Sequence, residues 1–203
     1  MESRLYERCG QAVTNFDRTL PAPQSDLAAE LLKDPYHFSF LGLAPGVEER
    51  ELERALLAHV RDFLLELGVG FALVGSQYHL EVGGQDYYLD LLFYHIRLRC
   101  YVAVELKVGA FKPEYAGKMN FYLSALDERL RQQEDGPTIG LVLCKERNRV
   151  VAEYALRGIA KPVSVAAYRL TNDLPAQLRG SLPSPEQLES ELTEADVEAE
   201  VVG

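Results

Sequence analysis

"YYLDLLFYHIRLRCYVAVELKVG", residues 87–109, decides the fold of this chain, because it holds two apolar runs joined by a short polar segment. We predict two strands joined by a turn. Three charged residues interrupt these runs: Asp90 in the first, and Glu105 and Lys107 in the second. Charged groups in buried strands cost free energy unless they are paired or bind a ligand. These three residues are therefore the first candidates for a functional site.

The composition is that of a protein with one globular domain. The chain has 203 residues, of which 47% are hydrophobic and 26% charged, which is enough for a single core. We find no run of about 18 apolar residues, as a membrane span requires, and no basic stretch followed by an apolar one at the start. The three cysteines form no CxxC pair, which argues against a zinc site or a disulfide framework. We therefore expect a cytoplasmic protein with no membrane partner.

Charge is distributed unevenly along the chain. The net charge of −10 at first argues against a nucleic-acid partner, yet residues 186–200 alone hold seven acidic residues and no basic one. Residues 97–131 hold seven Lys or Arg against four Asp or Glu, and residues 145–169 hold six against two. The middle of the chain is thus locally basic, and a nucleic-acid partner is compatible with it.

The chain divides into three predicted segments. Residues 1–46 are rich in Pro and turn residues, and we predict an N-terminal arm laid over the domain, with one short helix near Leu27–Leu32. Residues 47–170 form the predicted domain. Residues 171–203 form a C-terminal extension, with a short helix followed by an acidic and disordered end.

Within the domain, the pattern predicts elements in the order α-β-β-β-α-β-α-β. "GVEERELERALLAHVRDFLLELG" predicts one helix over 47–67, ended by Gly68. "GGQD" predicts a hairpin turn between the first two strands, and Pro113 begins the second helix. An antiparallel meander followed by a helical crossover predicts an α/β fold with a mixed central sheet flanked by helices.

The charged residues are predicted to converge on one place. Strand side chains alternate, so Glu105 and Lys107 share a face, and Asp90 can lie beside them if the strands pair. Helical geometry puts Glu53 on the apolar stripe of the first helix, over the same sheet. Carboxylates held close together repel each other, and Mg²⁺ or Mn²⁺ would resolve that conflict. Lys107 could then position or deprotonate a water, or neutralise a phosphate.

A plain structural role is the alternative for each residue taken alone. Glu105 and Lys107 could be edge-strand charges, and Asp90 a residue beside a turn. The E-x-K spacing is a weak signal by itself. An Asp followed about fifteen residues later by E-x-K, in strand–turn–strand ahead of a helix, is much more specific.

This arrangement resembles the PD-(D/E)xK nuclease superfamily, whose restriction-endonuclease-like core has the order α-β-β-β-α-β. It is most similar to the YhcG family, a PDDEXK nuclease domain formerly called DUF1016. The resemblance covers about residues 15–170 and rests on "LKDPYHFSFL", "LERALLAHVRDFLLELG" and "GLVLCKERNRVVAEYAL", besides the opening stretch.

The resemblance implies roles for individual residues. Asp90 and Glu105 would bind the metal, Mg²⁺ or Mn²⁺, and Lys107 would be the catalytic lysine. The main-chain carbonyl of Leu106 would add a ligand, as is usual in the superfamily. Glu53 matches the acidic residue that many members carry on the first helix.

Full-length members of the family resemble two-domain proteins, with a helical domain ahead of the nuclease domain. Residues 1–20 stand where that domain would end. The resemblance therefore implies that the N-terminal arm is its remnant.

Further residues are candidates for contacts with nucleic acid. Tyr115, Lys118 and Tyr122 lie on one face of the second helix, where related nucleases place a polar residue and a Tyr four apart. Gln77, in the strand before the hairpin, could reach the substrate. The basic residues that could hold a phosphate backbone are Lys112, Lys145, Arg147 and Arg149. For each, packing on the sheet or an ordinary solvated surface is the open alternative.

The histidines and strand tyrosines have structural alternatives as well. His79 and His95 could be bases or ligands, although such residues are more often structural. The tyrosines that alternate through the strands could stack on bases, although packing is the commoner role; they are Tyr87, Tyr88, Tyr94 and Tyr101.

The first functional hypothesis is a metal-dependent nuclease, an endonuclease that hydrolyses phosphodiester bonds in nucleic acid, with DNA preferred to RNA. The second is a nucleic-acid-binding module of the same fold with weak or absent cleavage. The third is a protein-interaction domain with the acidic tail as its docking segment, which leaves the buried charges unexplained. Because two strands must be cut in a duplex, a homodimer is expected.

Overall fold

A computed structural model of the chain describes residues 11–43 and 47–170. The predicted C-terminal helix and acidic end fall in 171–203 and lie outside the described residues. Among the helices of the described ranges, none is both long and apolar enough to cross a bilayer.

A mixed sheet is the centre of the fold. The described strands are β1 (Val13–Thr14), β2 (Tyr36–His37), β3 (Phe71–Val82), β4 (Gln85–His95), β5 (Cys100–Ala110), β6 (Ile139–Glu146) and β7 (Val163–Arg169). Their order is β1-β7-β6-β5-β4-β3, and β2 also pairs with β7. β3, β4 and β5 are antiparallel neighbours, whereas β5, β6 and β7 run parallel. The predicted meander followed by a helical crossover is confirmed.

The described helices flank this sheet, as predicted. They are α1 (Phe16–Thr19), α2 (Ala22–Leu31), α3 (Glu49–Ala58), α4 (Val60–Leu67), α5 (Pro113–Arg129) and α6 (Arg149–Leu156), with a 3-10 turn at Ser39–Leu41. The single helix predicted over 47–67 is instead two, α3 and α4. The division falls at His59, whose φ of −109° and ψ of 37° are not helical.

The two faces of the sheet have separate cores. Side chains of β6 alternate between them: Leu143 belongs to the cluster with Phe63 of α4 and residues of the arm, and Val142 belongs to the cluster with Met119 of α5. α5 approaches β6 closely, since a Cβ atom on Gly140 would lie 2.5 Å from Met119 Cγ. Gly140 therefore sets how near α5 lies to the sheet.

The hairpin between β3 and β4 is shorter than "GGQD" suggested. Gly83 and Gly84 alone form the turn, with φ values of 61° and 74°, and Gln85 and Asp86 already belong to β4. Two consecutive residues with positive φ match a type I′ turn, which glycine adopts without strain.

Pairing between β4 and β5 stops before the strands end. The ladder runs from His95–Cys100 to Leu91–Val104, whereas β5 remains paired with β6 as far as Lys107 and beyond. One step past Leu91–Val104, residues 90 and 105 would have faced each other. We call this point, defined by Asp90 on β4 and Glu105 on β5, the fork.

The arm contains more regular secondary structure than its composition suggested. The helix predicted near Leu27–Leu32 begins earlier, at Ala22. Pro23 lies in its first turn, the part of a helix in which a proline is tolerated. β1 pairs antiparallel with β7 and β2 pairs parallel with it, so the arm covers the edge of the sheet opposite β3.

Asn15 anchors the arm. It is fully buried; its Nδ2 donates to the carbonyls of Ile159 and Lys161, at 3.2 and 2.9 Å. Its Oδ1 accepts a hydrogen bond of 2.8 Å from the Val163 N–H. One side chain thus satisfies three main-chain groups in the turn before β7.

Asn15→Ala should lower the free energy of unfolding by about 3 kcal/mol, because it leaves buried main-chain groups without partners. Urea denaturation would measure the loss. Asn148→Ala is the matched control: Asn148 is exposed and caps α6 by accepting from Val150 and Val151 N–H, so its removal should cost only about 1 kcal/mol. Equal losses in the two variants would contradict the role of Asn15.

Candidate active site

Asp90 lies at the fork, where its carboxylate, in place of a main-chain carbonyl of β4, accepts a hydrogen bond from the main chain of β5. Its Oδ2 accepts from the Leu106 N–H at 2.8 Å. Leu106 precedes Lys107 on β5 and lies past the last residue pair of the β4–β5 ladder, so its N–H would otherwise lack a partner on β4. Asp90 is thereby fixed against the E-x-K segment, as the predicted strand pairing requires.

Glu105 is the most buried carboxylate of the site, at 3% exposure. Its Oε1 forms an ion pair with Lys107 Nζ at 3.2 Å and accepts a hydrogen bond from Lys118 Nζ. Its Oε2 is buried and has no hydrogen-bond partner among the described residues. A buried carboxylate oxygen without a donor is costly, and a cation is a partner that would relieve it.

Lys107 is held by a residue that the sequence analysis missed. Glu49, in the first turn of α3, accepts from Lys107 Nζ at 2.8 Å and from the Val108 N–H at 3.4 Å. The Lys107 ammonium also lies 5.5 Å from the ring centre of Tyr115. The signal was present, since Glu49 precedes Glu53 by four residues and shares its helix face.

The pKa values reflect crowded charge in a poorly solvated place. Burial, and then the charge of Glu105, raise the pKa of Asp90 to about 6. Burial alone would lower the pKa of Lys107, but Glu49, Glu105 and Asp90 outweigh it and leave that pKa raised. Ionising Asp90 therefore costs free energy that the nearby Lys107 ammonium partly offsets.

Glu53 reaches the site through Gln77. The buried Glu53 Oε2 accepts from Gln77 Nε2 at 2.7 Å, and the same nitrogen lies 3.5 Å from Asp90 Oδ1. Gln77 has a φ of 44°, a strained backbone conformation for this residue type. Burial raises the pKa of Glu53. Glu53 and Gln77, both predicted for the site, therefore lie together beside Asp90.

The predicted face of α5 also meets the fork. Lys118 contacts Glu105, and its Nζ lies 5.2 Å from the ring centre of Tyr122. The buried Tyr122 donates its hydroxyl hydrogen to the Tyr88 carbonyl at 3.0 Å. Burial lowers the pKa of Lys118, but Glu105 outweighs it and the pKa is raised.

The basic residues predicted to hold phosphates divide into two groups. Lys112 and Lys145 are exposed. Lys145 follows Cys144, which pairs with Lys107 on the neighbouring strand. Arg147 instead forms a buried ion pair with Asp34, and Arg149 pairs with Glu153 at 2.9 Å.

Neither histidine candidate reaches the carboxylates of the fork by a described contact. His95 is buried, and its Nδ1 accepts from the Leu98 N–H at 3.1 Å. His79 is exposed, and its Nε2 lies 2.6 Å from Asp86. The structural alternative fits His95 best.

The donor set at the fork fits a divalent cation in part. Across residues 11–43 and 47–170, no three Asp, Glu, His or Cys side chains are close enough to form a ready-made metal cage. Asp90 and Glu105 nevertheless lie near enough for one charge to shift the pKa of the other, and Glu105 Oε2 has an open acceptor. Hard carboxylate oxygens are the ligands that Mg²⁺ and Mn²⁺ prefer, usually with waters completing the shell.

Comparisons with known proteins agree with this geometry. The family model of the YhcG PDDEXK nuclease domain matches residues 29–183. The protein "Putative nuclease YhcG" of Escherichia coli (strain K12) is 41% identical over 150 residues, which cover 74% of this chain and 40% of that protein. The chain thus spans about two fifths of the length of this relative.

Solved structures with a distant likeness include two endonuclease-related proteins. A repair endonuclease from Pyrococcus abyssi is 18% identical with a TM-score of 0.40, over 65% of this chain and 50% of that one. The EndoMS-dsDNA2 complex is 15% identical with a TM-score of 0.39, over 60% and 45%. The sequence matches, which cover most of this chain at much higher identity, establish that it belongs to the YhcG family of PDDEXK nuclease domains.

Proposed function

We propose that this chain is a metal-dependent endonuclease that hydrolyses phosphodiester bonds in nucleic acid, with DNA as the substrate rather than RNA. The observation that carries the proposal is the fork. Two carboxylates meet there beside a buried lysine, and Glu105 Oε2 lacks a hydrogen-bond partner among the described residues. Membership of the family supports the same chemistry.

Asp90, Glu105 and the main-chain carbonyl of Leu106 are the proposed metal ligands, with Glu53 as an additional one. Mg²⁺ or Mn²⁺ held there would polarise a phosphate oxygen and make a bound water more acidic. Glu53 would need only to exchange its hydrogen bond with Gln77, because its carboxylate already lies on that side of Asp90.

Lys107 is the proposed catalytic lysine. Its Nζ contacts Glu105 and Glu49, so the ammonium lies at the edge of the carboxylate pair. From there it could align the attacking water or stabilise negative charge on the scissile phosphate. Glu49 limits the conformations open to the lysine.

Six residues are the proposed nucleic-acid contacts. Lys118 and Tyr115 come from the face of α5 at the fork, where the buried Tyr122 would act through Lys118, and Gln77 comes from β3. Lys112, which follows β5, and Lys145, near the end of β6, are exposed cations that could hold a phosphate backbone crossing the fork. A homodimer would give two such sites for the two strands of a duplex, and the cytoplasm is the proposed compartment.

Plasmid DNA should be nicked or linearised by the chain in Mg²⁺ or Mn²⁺, and EDTA should abolish cleavage. Asp90→Ala and Lys107→Ala should each lower the cleavage rate at least about a hundredfold, because each removes a group that acts on the reacting phosphate. Gel electrophoresis of supercoiled plasmid measures this.

Asp26→Ala, at an exposed carboxylate on α2, is the matched control and should cleave like the wild type. Cleavage that survives Asp90→Ala or Lys107→Ala would refute the assigned site. Tight DNA binding without cleavage in either metal would favour a binding module of the same fold instead.

Asp90→Asn should stabilise the metal-free protein at pH 8 while abolishing cleavage. The pKa of folded Asp90 is raised to about 6 from 3.8, so its ionisation opposes folding. That penalty is absent below pH 4, grows as the pH rises to 6 and is complete above it. Asparagine removes it, for a gain on the order of 2 kcal/mol at pH 8.

Thermal unfolding in EDTA at a series of pH values would measure this gain, which should shrink as the pH falls from 8 to 4. Asp26→Asn should show no such trend. An Asp90→Asn protein less stable than the wild type at pH 8 would contradict the description of Asp90 as an unfavourably buried charge.

A further inference from the structure

Two exposed aromatic rings lie beside the fork. Tyr88 is two residues before Asp90 on β4, so it lies close to the fork along the strand. His79 lies directly opposite Tyr88 on β3, and the two ring centres are 5.3 Å apart with 36° between their planes. Tyr88 is 51% exposed. The ring pair is therefore an open aromatic surface about 7 Å along the strand from Asp90.

The other strand tyrosines have packing or hydrogen-bond partners instead. Tyr87 packs on Phe121 of α5, with ring centres 4.8 Å apart, and Tyr94 packs edge to face on Tyr101 at 5.3 Å. Of these four tyrosines, Tyr88 alone is exposed. Packing against other side chains of the protein thus accounts for Tyr87, Tyr94 and Tyr101, but it does not account for the exposed ring of Tyr88.

The main chain of Tyr88 is tied to the site. Its carbonyl accepts from the Tyr122 hydroxyl at 3.0 Å. The Tyr122 ring lies under the Lys118 ammonium, which contacts Glu105. A group stacked on Tyr88 would therefore have a fixed position relative to the carboxylates.

The charged residues around the Tyr88–His79 ring pair determine which kind of chemical group can bind to the two rings. The Asp86 carboxylate lies 2.6 Å from His79 Nε2, and Glu81 lies opposite Asp86 on the hairpin. Two carboxylates beside the rings disfavour a phosphate. A nucleobase is uncharged and planar, and it stacks well on tyrosine.

We propose that Tyr88, with His79 beside it, stacks on an unpaired base of the nucleic acid next to the bond that is cut at the fork. A base inside a duplex has both faces covered by its neighbours, so only a single-stranded segment can offer one. This inference rests on the proposed nuclease function and specifies its substrate: a strand with unpaired bases at the cut site, rather than a fully paired duplex.

The test compares binding of a single-stranded oligonucleotide with binding of the blunt duplex of the same sequence, by fluorescence anisotropy with Ca²⁺ in place of Mg²⁺. Tyr88→Ala should weaken single-strand binding about tenfold and leave duplex binding unchanged. Tyr88→Phe, which keeps the ring, should bind both like the wild type. A 2-aminopurine base in the single strand should be quenched by the wild type and by Tyr88→Phe, but not by Tyr88→Ala.

Tyr154→Ala is the matched control. Tyr154 is a tyrosine of α6 that is 63% exposed. The Arg157 guanidinium carbon lies 4.1 Å from the centre of its ring. Its loss should leave binding of both oligonucleotides unchanged.

Two results would overturn the stacking role: single-strand binding that survives Tyr88→Ala, or equal losses for single strand and duplex. The plasmid assay tests the nuclease function separately. Tyr88-dependent binding of the single strand without any cleavage by the wild type would support stacking and reject the nuclease. No binding of either oligonucleotide by the wild type would reject the stacking role, whether or not the plasmid is cleaved.

Discussion

The burial of Glu105 next to Asp90 is the constraint on which the rest of the site depends. Both carboxylates lie in a poorly solvated place where β4 and β5 separate, and burial and the charge of Glu105 raise the pKa of Asp90. Such a pair persists only if other groups hold it. A main-chain N–H holds Asp90, and two lysines hold one oxygen of Glu105.

The elements around the fork each contribute one part of that support. α3 supplies Glu49, which positions Lys107, and Glu53, which holds Gln77. α5 supplies Lys118, and it can reach Glu105 because Gly140 lets the helix lie close against the sheet. Asn15 fastens the arm beside β7, the outer strand of the parallel half of the sheet.

Sequence patterns predicted the parts of the site whose geometry follows from local periodicity. Alternation along a strand puts Glu105 and Lys107 on one face, and a hairpin brings Asp90 alongside, so these three residues could be named in advance. Helical spacing puts Glu49 on the same face as Glu53, but only the position of α3 in the fold decides that Glu49 reaches Lys107. The break at His59 and the positive φ of Gln77 depend on tertiary contacts in the same way. Tyr87 and Tyr88 are indistinguishable by composition, and only the side on which α5 packs leaves Tyr88 exposed.

The support around the fork also explains why its charges cannot be treated one at a time. Removing Lys107 leaves Glu49 and Glu105 with fewer cations, and removing Glu105 leaves Lys107 and Lys118 short of a partner in a poorly solvated place. An ion left buried without its partner costs several times more than the intact pair contributes. The site is thus a balance of opposite charges, in which a change to one charged side chain alters the electrostatic environment of the others. Because the fold has already removed these carboxylates from most of the solvent, a ligand that displaced the remaining water at the fork would cost them little further solvation.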